Sequence, residues 1–301
     1  MGRDCGRDRS FFHGECWPRI NGVWVTMNLL LSGAHFGSRG CGVIWCVIRS
    51  TVPVPLSTAR RFQMFDRTVQ EMGERLLTVR APAQMLAALT WGMAELDQTF
   101  SESPTGVKAL IACHAGCDAC CSVPVDVQAH EVFFAADHIQ RHFSPEALEQ
   151  VLARLGGHRR RVALFAAGER DTSRQPCALL DQGGSCSIYA GRPEACRCHH
   201  SSNAAVCAAH QADPAVDVTK VYIPALRARL FAVRMGLDEA IEQVGYDDRS
   251  YDFGSALHEA LTNSLCLMAW MRRQPAFPDS CLSEPPDTAS PVLSKKKRKV
   301  D

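Results

Sequence analysis

Apolar residues recur at the three- and four-residue spacing of an amphipathic helix from Met64 onward. The first such positions are Val69, Met72, Leu76, Leu77, Met85, Leu86, Leu89, Met93 and Leu96. They predict a pair of helices between Phe65 and Phe100. The division falls at Pro82, because proline starts a helix far more readily than it continues one.

Helix start signals place two more helices in the middle of the chain. Asp126 is a candidate N-cap for the first, and Ser144 followed by Pro145 is a strong start signal for the second. The two glycines at 156–157 are expected to interrupt this second helix, which then resumes from Val162 to Ala167. Both helices lie inside the chain's long run of helical periodicity.

The C-terminal half carries two further helical patterns, from Tyr222 to Val244 and from Phe253 to Met271. Their leucine, alanine, methionine and tryptophan side chains are typical of core packing. Strand signals are weak along the whole chain. The fold class predicted is therefore mostly α-helical, a single domain with a loop-rich cysteine metal centre between its helices.

The chain divides into three predicted regions. Residues 1–62 form an irregular N-terminal extension without consistent periodicity, and one hypothesis is that translation begins near Met64 and leaves them out. Residues 63–274 form the helical cysteine-cluster domain. Residues 275–301 are rich in proline, serine and charge and are predicted to be disordered. The basic run Lys295–Val300 resembles a nuclear localisation signal, but a solvated tail or an expression tag also fits it.

Charge and composition exclude several classes of partner. Hydrophobic residues make up 46% of the 301, enough for one sizeable core, and 33 Lys and Arg face 32 Asp and Glu. This balance provides no field for a polyanion, so nucleic acid binding is not expected. The apolar stretch Val23–Ile48 is broken by His35 and Arg39, which argues against a secretory signal or a membrane span. We expect a cytoplasmic protein.

The 15 cysteines change this picture most. In a reducing compartment, many cysteines indicate metal or redox chemistry rather than disulfides. Four of them fall within nine residues, and five more follow after a spacer: Cys113, Cys117, Cys120, Cys121, Cys177, Cys186, Cys196, Cys198 and Cys207. The metal-binding core is therefore placed at residues 110–210. Cys5, Cys16, Cys41 and Cys46 are not required for it.

Thiolate is a soft, anionic ligand that suits both zinc and iron-sulfur clusters. The adjacent pair Cys120 and Cys121 cannot easily serve one tetrahedral ion, so we expect them to bind different metals or one of them not to bind. Arg192 and Arg197 are candidates to offset the thiolate charge, with surface ion pairs as the alternative. Four histidines rank below the cysteines as ligands: His114, His199, His200 and His210.

The cysteine spacing resembles the YkgJ-like cysteine-cluster family. The resemblance covers C-x3-C-x2-C-C from Cys113, Cys177-Ala-Leu-Leu, Cys186-Ser-Ile-Tyr, Arg192-Pro-Glu-Ala-Cys-Arg and a later cysteine. It implies chelation of zinc or iron by eight cysteines: Cys113, Cys117, Cys120, Cys121, Cys177, Cys186, Cys196 and Cys207. Cys198 departs from the family pattern as an extra thiol. Some relatives are flagellin lysine N-methylases.

Three functions remain open from the sequence. The first is a metal-binding protein with an iron-sulfur cluster or zinc, active in redox or electron transfer. The second is a cluster-dependent protein lysine N-methylase, and the third a structural zinc domain that contacts another protein. The spacing from Cys113 to Cys120 also fits a radical S-adenosylmethionine enzyme, but the flanking helices and Cys121 do not.

Neither a substrate nor a protein partner is identified by the sequence, and no catalytic residue can be assigned. Hydrolase motifs are absent from the sequence. The acids near the cysteines show no pairing suited to acid-base catalysis: Asp118, Asp126, Glu131, Asp181 and Glu194.

Overall fold

The computed structural model of the protein describes the backbone of residues 19–20, 23–24 and 56–60, and the full structure of residues 61–165 and 169–284. Most of the predicted N-terminal extension and the basic run at 295–300 lie outside the described residues. The chain divides into two units, residues 1–52 and 53–301. In the first unit two short strands pair antiparallel, β1 (Arg19–Ile20) and β2 (Val23–Trp24).

The second unit is mostly α-helical, which confirms the predicted fold class. Its helices are α1 (Leu56–Thr78), α2 (Pro82–Ser101), α3 (Thr105–Lys108), α4 (Ala129–His142), α5 (Pro145–Val162), α6 (Glu169–Thr172), α7 (Glu194–Cys198), α8 (Ala204–Ala212), α9 (Pro224–Val244), α10 (Phe253–Thr262) and α11 (Cys266–Met271). Short 3-10 turns lie at Ala119–Ser122, Tyr189–Gly191, Thr219–Val221 and Asp279–Cys281. The strands β3 (Asp126–Val127) and β4 (Tyr251–Asp252) pair antiparallel.

The predicted helical pair is confirmed as α1 and α2, with Pro82 at the start of α2. Helix α1 begins at Leu56, before the first repeat visible in the sequence. It packs closely on α9 at Gly236, where an added Cβ would lie 2.8 Å from the Thr68 Cβ. Helix α9 then ends at Gly245, whose φ of 81° is the left-handed C-cap conformation that favours glycine.

The starts of α4 and α5 test the two predicted caps. Ser144 caps α5 as predicted, since its hydroxyl accepts a hydrogen bond from the Ala147 amide at 3.3 Å. The prediction for Asp126 is wrong, because Gln128 and Glu131 form the capping box of α4. Asp126 instead lies in β3, and its Oδ1 is 2.6 Å from the guanidinium of Arg170.

Helix α5 also corrects the predicted interruption at 156–157, since it continues through both glycines and ends at Val162. Gly156 faces α10, where an added Cβ would lie at an ordinary van der Waals distance of 3.5 Å from His258 Nε2. The helix predicted from Phe253 to Met271 is divided, because α10 ends at Thr262 and the Asn263 side chain accepts the Leu265 amide before α11 begins.

The ordered chain extends past the predicted start of the disordered tail. Ala276, Phe277 and Cys281 are buried, and Phe277 packs on the rings of Phe133 and Tyr251. The prediction missed these buried residues because the proline-rich composition of the segment outweighed its few apolar side chains. None of the helices in the described part of the chain combines the length and apolar character needed to cross a bilayer.

Candidate metal centre

The first cysteine segment is a tight loop fixed at both ends. Its start is held by the Ala112 amide, which donates to the Ser201 carbonyl at 2.8 Å. Gly116 has a φ of 79°, a left-handed turn conformation that favours glycine, and the Cys117 amide donates to the His114 carbonyl at 3.1 Å. The 3-10 turn at 119–122 then places two adjacent cysteines at the end of the loop.

The second cysteine segment pairs directly with the first. The Cys177 amide donates to the Cys121 carbonyl at 2.7 Å, which joins residues 56 positions apart in the sequence. Leu180 and Cys186 form an antiparallel bridge, and the turn between them is held by the Asp181 carboxylate, which accepts two backbone amides. A Cβ on Gly184 would lie 3.6 Å from the Gly116 carbonyl, so the two loops touch at glycine.

The remaining candidate cysteine ligands lie on two short helices. Cys196 lies on α7, and Cys207 lies on α8, which packs on the 3-10 turn at 119–122. Helix α7 is anchored by Arg197, whose Nη1 is 2.6 Å from Asp97 Oδ2 on α2 and whose Nε donates to the Arg192 carbonyl. Arg197 is therefore buried in structural contacts, and its hydrogen bonds do not go to sulfur.

The negative charge of Cys120 raises the pKa values of three other cysteines: Cys177, Cys186 and Cys196. Burial is the main cause that raises the pKa of Cys196 well above its ordinary value, and the negative charges of Cys177, Cys120 and Cys186 raise it further. Burial likewise raises the pKa of Cys177 to about 11. These four thiols are therefore close enough for their charges to interact.

A second group surrounds Cys113, the exposed member of the loop. Burial raises the pKa of Cys113, and nearby thiolates add to the shift, those of Cys120, Cys117 and Cys207. Cys120 therefore lies between the two groups. Interaction with the Cys121 side chain raises the pKa of Cys120, and burial raises it further.

The cysteine sulfurs are the right type of ligand for a thiolate metal site, but the distances between them are longer than such a site requires. Sulfur ligands of a tetrahedral zinc ion lie about 3.8 Å apart, given Zn–S bonds of about 2.3 Å. Among the described residues, no three cysteine Sγ atoms lie within 4.8 Å of one another. Every described cysteine is free. Binding of a tetrahedral ion by these cysteines would require their Sγ atoms to move closer together.

Backbone amides and one arginine favour charge on the sulfurs. Hydrogen bonds from the amides of Leu179 and Ile188 lower the pKa of Cys177 and Cys186, in opposition to burial. The positive charge of Arg192 also lowers the pKa of Cys186. Of the two predicted arginines, Arg192 thus acts on a thiol, whereas Arg197 pairs with Asp97.

The four candidate histidines have other contacts. Both ring nitrogens of His210 are engaged, by Arg174 Nη2 at 3.0 Å and by the Val216 carbonyl at 2.7 Å. His200 stacks on Phe100, and His199 meets the edge of Tyr222. His114 is exposed, with Nδ1 2.9 Å from the carbonyl of the next residue.

Sequence reasoning missed a polar cluster on the inner side of α7. The acids near the cysteines were expected to show no pairing, yet the Glu131 carboxylate accepts the Glu194 amide at 2.7 Å, and Glu194 Oε1 is 2.9 Å from His130 Nε2. Cys198 is buried beside this cluster, and burial raises its pKa to about 12. The sequence signal that could have revealed this cluster was the presence of two ionisable residues on the buried face of α4, His130 and Glu131.

An open cleft of about 670 Å³ adjoins the cysteines at Cys177. Arg154 and Arg161 line one part of it, and Asp118 and Asp181 line another. The Arg154 Nε donates to the Ala178 carbonyl at 2.7 Å, which fixes that side chain next to the second cysteine segment. The cleft gives a small molecule or side chain access to the cysteine region.

Comparison with known proteins supports the resemblance. Residues 112–217, about a third of the chain, match the family model named CxxCxxCC and described as a "putative zinc- or iron-chelating domain". This is the YkgJ-like family that the cysteine spacing resembles. No curated protein and no solved structure gives a significant match to the chain.

Proposed function

We propose that the chain, whose residues 112–217 match the CxxCxxCC family model, holds zinc or iron in two centres, each with four cysteine ligands. The observation that carries the proposal is the contact between the cysteine segments, since the Cys177 amide donates to the Cys121 carbonyl and α8 packs on the 3-10 turn at 119–122. We group Cys120, Cys177, Cys186 and Cys196 because the charges of these thiols interact. These four form the first centre. The second centre takes the remaining cysteines of the family pattern: Cys113, Cys117, Cys121 and Cys207.

This division resolves the problem of the adjacent cysteines. Neighbouring residues cannot both reach one tetrahedral ion without backbone strain, whereas two ions side by side can each take one sulfur. Because Cys120 and Cys121 are adjacent in the 3-10 turn at 119–122, the two proposed centres would lie next to each other. Cys198 is left out, because it is outside the family pattern and is buried beside Glu194 and Glu131.

The protein supplies what an anionic centre needs. Four thiolates around Zn²⁺ carry a net charge of minus two, which amide hydrogen bonds and nearby cations offset. The amides of Leu179, Ile188 and Ser201 act on the sulfurs of Cys177, Cys186 and Cys113 respectively. Burial raises the thiol pKa values, so metal binding must release protons.

Metal analysis of the anaerobically purified chain tests the proposal. Two metal ions, or the iron and sulfide of clusters, are expected per chain. Cys196→Ser and Cys207→Ser are each expected to remove the metal of one centre, and the matched control Cys281→Ser, a buried thiol outside the family match, is expected to retain both. Loss of no metal in either centre variant would contradict the two-centre arrangement.

The identity of the metal separates the functional alternatives. Iron with sulfide and broad visible absorbance would favour redox or electron transfer at Cys113, which is exposed to solvent. Colourless protein with zinc would favour a structural domain that contacts another protein. A cytoplasmic location fits either outcome, since its reducing conditions keep thiols free.

A second candidate function is favoured by the cleft beside Cys177. A cluster-dependent enzyme that modifies lysine needs a route from solvent to its metal, and the proposed ligand Cys177 lines this cleft. Incubating the metal-loaded protein with a candidate substrate protein and a methyl donor tests it. Methyl incorporation into lysine that is lost in Arg154→Ala would support the enzyme, and inactivity of the loaded protein would count against it.

A further inference from the structure

A second set of potential metal ligands lies on α4 and α7, outside the cysteine set. One ligand atom from each of His130, Glu131 and Glu194 lies within 4.8 Å of the others. All three residues are buried, with exposed fractions of 1%, 0% and 0%. Histidine nitrogen and carboxylate oxygen are ligands shared by manganese, iron and zinc sites.

Several buried atoms around this group have no hydrogen-bond partner. They include Glu194 Oε2, His130 Nδ1 and Asp238 Oδ1. Asp238 Oδ1 lies 3.9 Å from His130 Nε2, so it borders the same group from α9. Buried polar atoms in folded proteins are almost always paired, and a bound ion is one of the few explanations for a cluster of exceptions.

The charges of the group do not balance. Glu131, Glu194 and Asp238 are three carboxylates, and Arg234 is the cation placed between two of them, 3.8 Å from Glu194 Oε2 and 4.0 Å from Asp238 Oδ2. One guanidinium against three carboxylates leaves two negative charges when His130 is neutral. Because buried charge is costly without a partner, the group must hold either protons or another cation.

The hydrogen bonds of Glu131 favour the cation. Its Oε1 accepts the Gln128 amide at 3.0 Å and its Oε2 accepts the Glu194 amide at 2.7 Å. Both oxygens thus act as acceptors, as an ionised carboxylate does, and each keeps a second lone pair for a ligand bond. Asp238 and Arg234 border the group with side chains that are about one-quarter exposed.

We propose that His130, Glu131 and Glu194 bind one divalent transition-metal ion of the manganese or iron(II) class, with Asp238 as a further ligand. The site differs from the cysteine centres in ligand type, since its ligands are nitrogen and oxygen rather than sulfur. It would be a third metal centre, next to the cysteine centres, because Glu194 and Cys196 both lie on α7.

Titration of the full-length chain with Mn²⁺, followed by electron paramagnetic resonance, tests this site. Mn²⁺ prefers oxygen and nitrogen to thiolate, so it reports this group and not the cysteines. One tightly bound Mn²⁺ is expected per chain. Glu194→Gln and Asp238→Asn, which keep side-chain shape, are expected to weaken its binding at least about 10-fold. Glu149→Gln, an exposed carboxylate on α5, is the matched control and is expected to leave binding unchanged.

A magnetic coupling between the bound Mn²⁺ and a His130 nitrogen would make the assignment specific. Pulsed resonance should detect a nitrogen coupled to the bound Mn²⁺, and His130→Gln should abolish that coupling. Circular dichroism shows which variants fold, and Asp238→Asn, at a partly exposed position, covers the case in which a buried variant does not. Absence of a stoichiometric Mn²⁺ site, or equal Mn²⁺ affinity in Glu194→Gln, Asp238→Asn and the wild type, would overturn the proposal and assign protons to the group.

Discussion

Asp252 accepts hydrogen bonds from three different helices at the centre of the second unit. His158 Nε2 on α5 lies 2.8 Å from its Oδ1, Arg170 Nη2 on α6 lies 3.2 Å from its Oδ2, and the Ser255 amide of α10 donates at 2.8 Å. The residue is thus both a buried ion-pair partner and the N-cap of α10. These roles make it the anchor between α5, α6 and α10.

Replacement of Asp252 by asparagine should therefore be strongly destabilising. The change leaves Arg170 without one of its two carboxylate partners in a buried place, which costs about 3–5 kcal/mol for a buried pair. Urea unfolding followed by circular dichroism measures it. Asp137→Asn, which removes an i,i+4 pair with the exposed Arg141, is the control and should cost only about 0–1 kcal/mol. Equal losses in the two variants would contradict a special role for Asp252.

Lowering the pH should remove the stabilisation that the Asp252 carboxylate provides. Burial alone would raise the pKa of Asp252, but hydrogen bonding and charge from His158, with the charge of Arg170, hold it well below its ordinary range. A carboxylate with a lowered folded pKa stabilises fully above its unfolded pKa of about 3.9, and loses this as the pH falls below that value. The difference in unfolding free energy between wild type and Asp252→Asn should shrink between pH 6 and about pH 2.5. A constant difference would contradict the assignment.

The residues that could be predicted from the sequence carry a local signal, whereas the residues that were missed depend on partners far away in the sequence. Clustered cysteines are visible because few structural roles crowd thiols together. Glu194 is one acidic residue beside a cysteine, and its partners His130 and Glu131 lie more than 60 positions away. Only the fold brings them together. Arg197 shows the same limit, since its partner Asp97 is 100 positions distant.

At the scale of elements, α1 and α9 meet at a contact that only glycine permits. A Cβ at Gly236 would lie 2.8 Å from the Thr68 Cβ and 3.0 Å from the Phe65 carbonyl. Gly236→Ala should therefore push the helices apart and destabilise the fold by about 1–3 kcal/mol. Gly73→Ala on α1 meets nothing within 4 Å and should stabilise by about 0.5–1 kcal/mol. Thermal unfolding measures both, and the same sign for both would refute the contact.

Helix positions were more predictable than helix interruptions. Periodicity located α1, α2, α5 and α9 because each buries one apolar stripe. The glycine pair in α5 was predicted to interrupt the helix, yet it remains helical because the packing of α5 on α10 and the burial of Val151 and Leu155 outweigh the low helix propensity of glycine. The break after Thr262 arises from a local capping bond of Asn263, which periodicity does not register.

The whole second unit consists of a helical frame with irregular cysteine segments attached to it. The frame has large buried side chains, such as Trp270, Met85 and Leu89. The cysteine segments are joined to it and to each other by a few bonds, including Ala112 to Ser201 and Cys177 to Cys121. Metal ligation would add the largest number of new links to these segments, because its ligands come from both of them.

Metal loading is therefore expected to protect the cysteine segments selectively. With free metal at about 100 times its dissociation constant, ligand linkage stabilises the bound state by about 2.7 kcal/mol, so amide exchange through opening of the site should slow about 100-fold. Hydrogen exchange by mass spectrometry should show this at residues 112–123 and 176–207, comparing metal-loaded with chelator-treated chain. Amides of α10, which carries none of the proposed ligands, serve as the internal control where they exchange by local opening, and they should not change. Uniform protection across α10 and the cysteine segments would show that metal stabilises the unit as one cooperative whole, and no protection at 112–123 would remove the first cysteine loop from the centre.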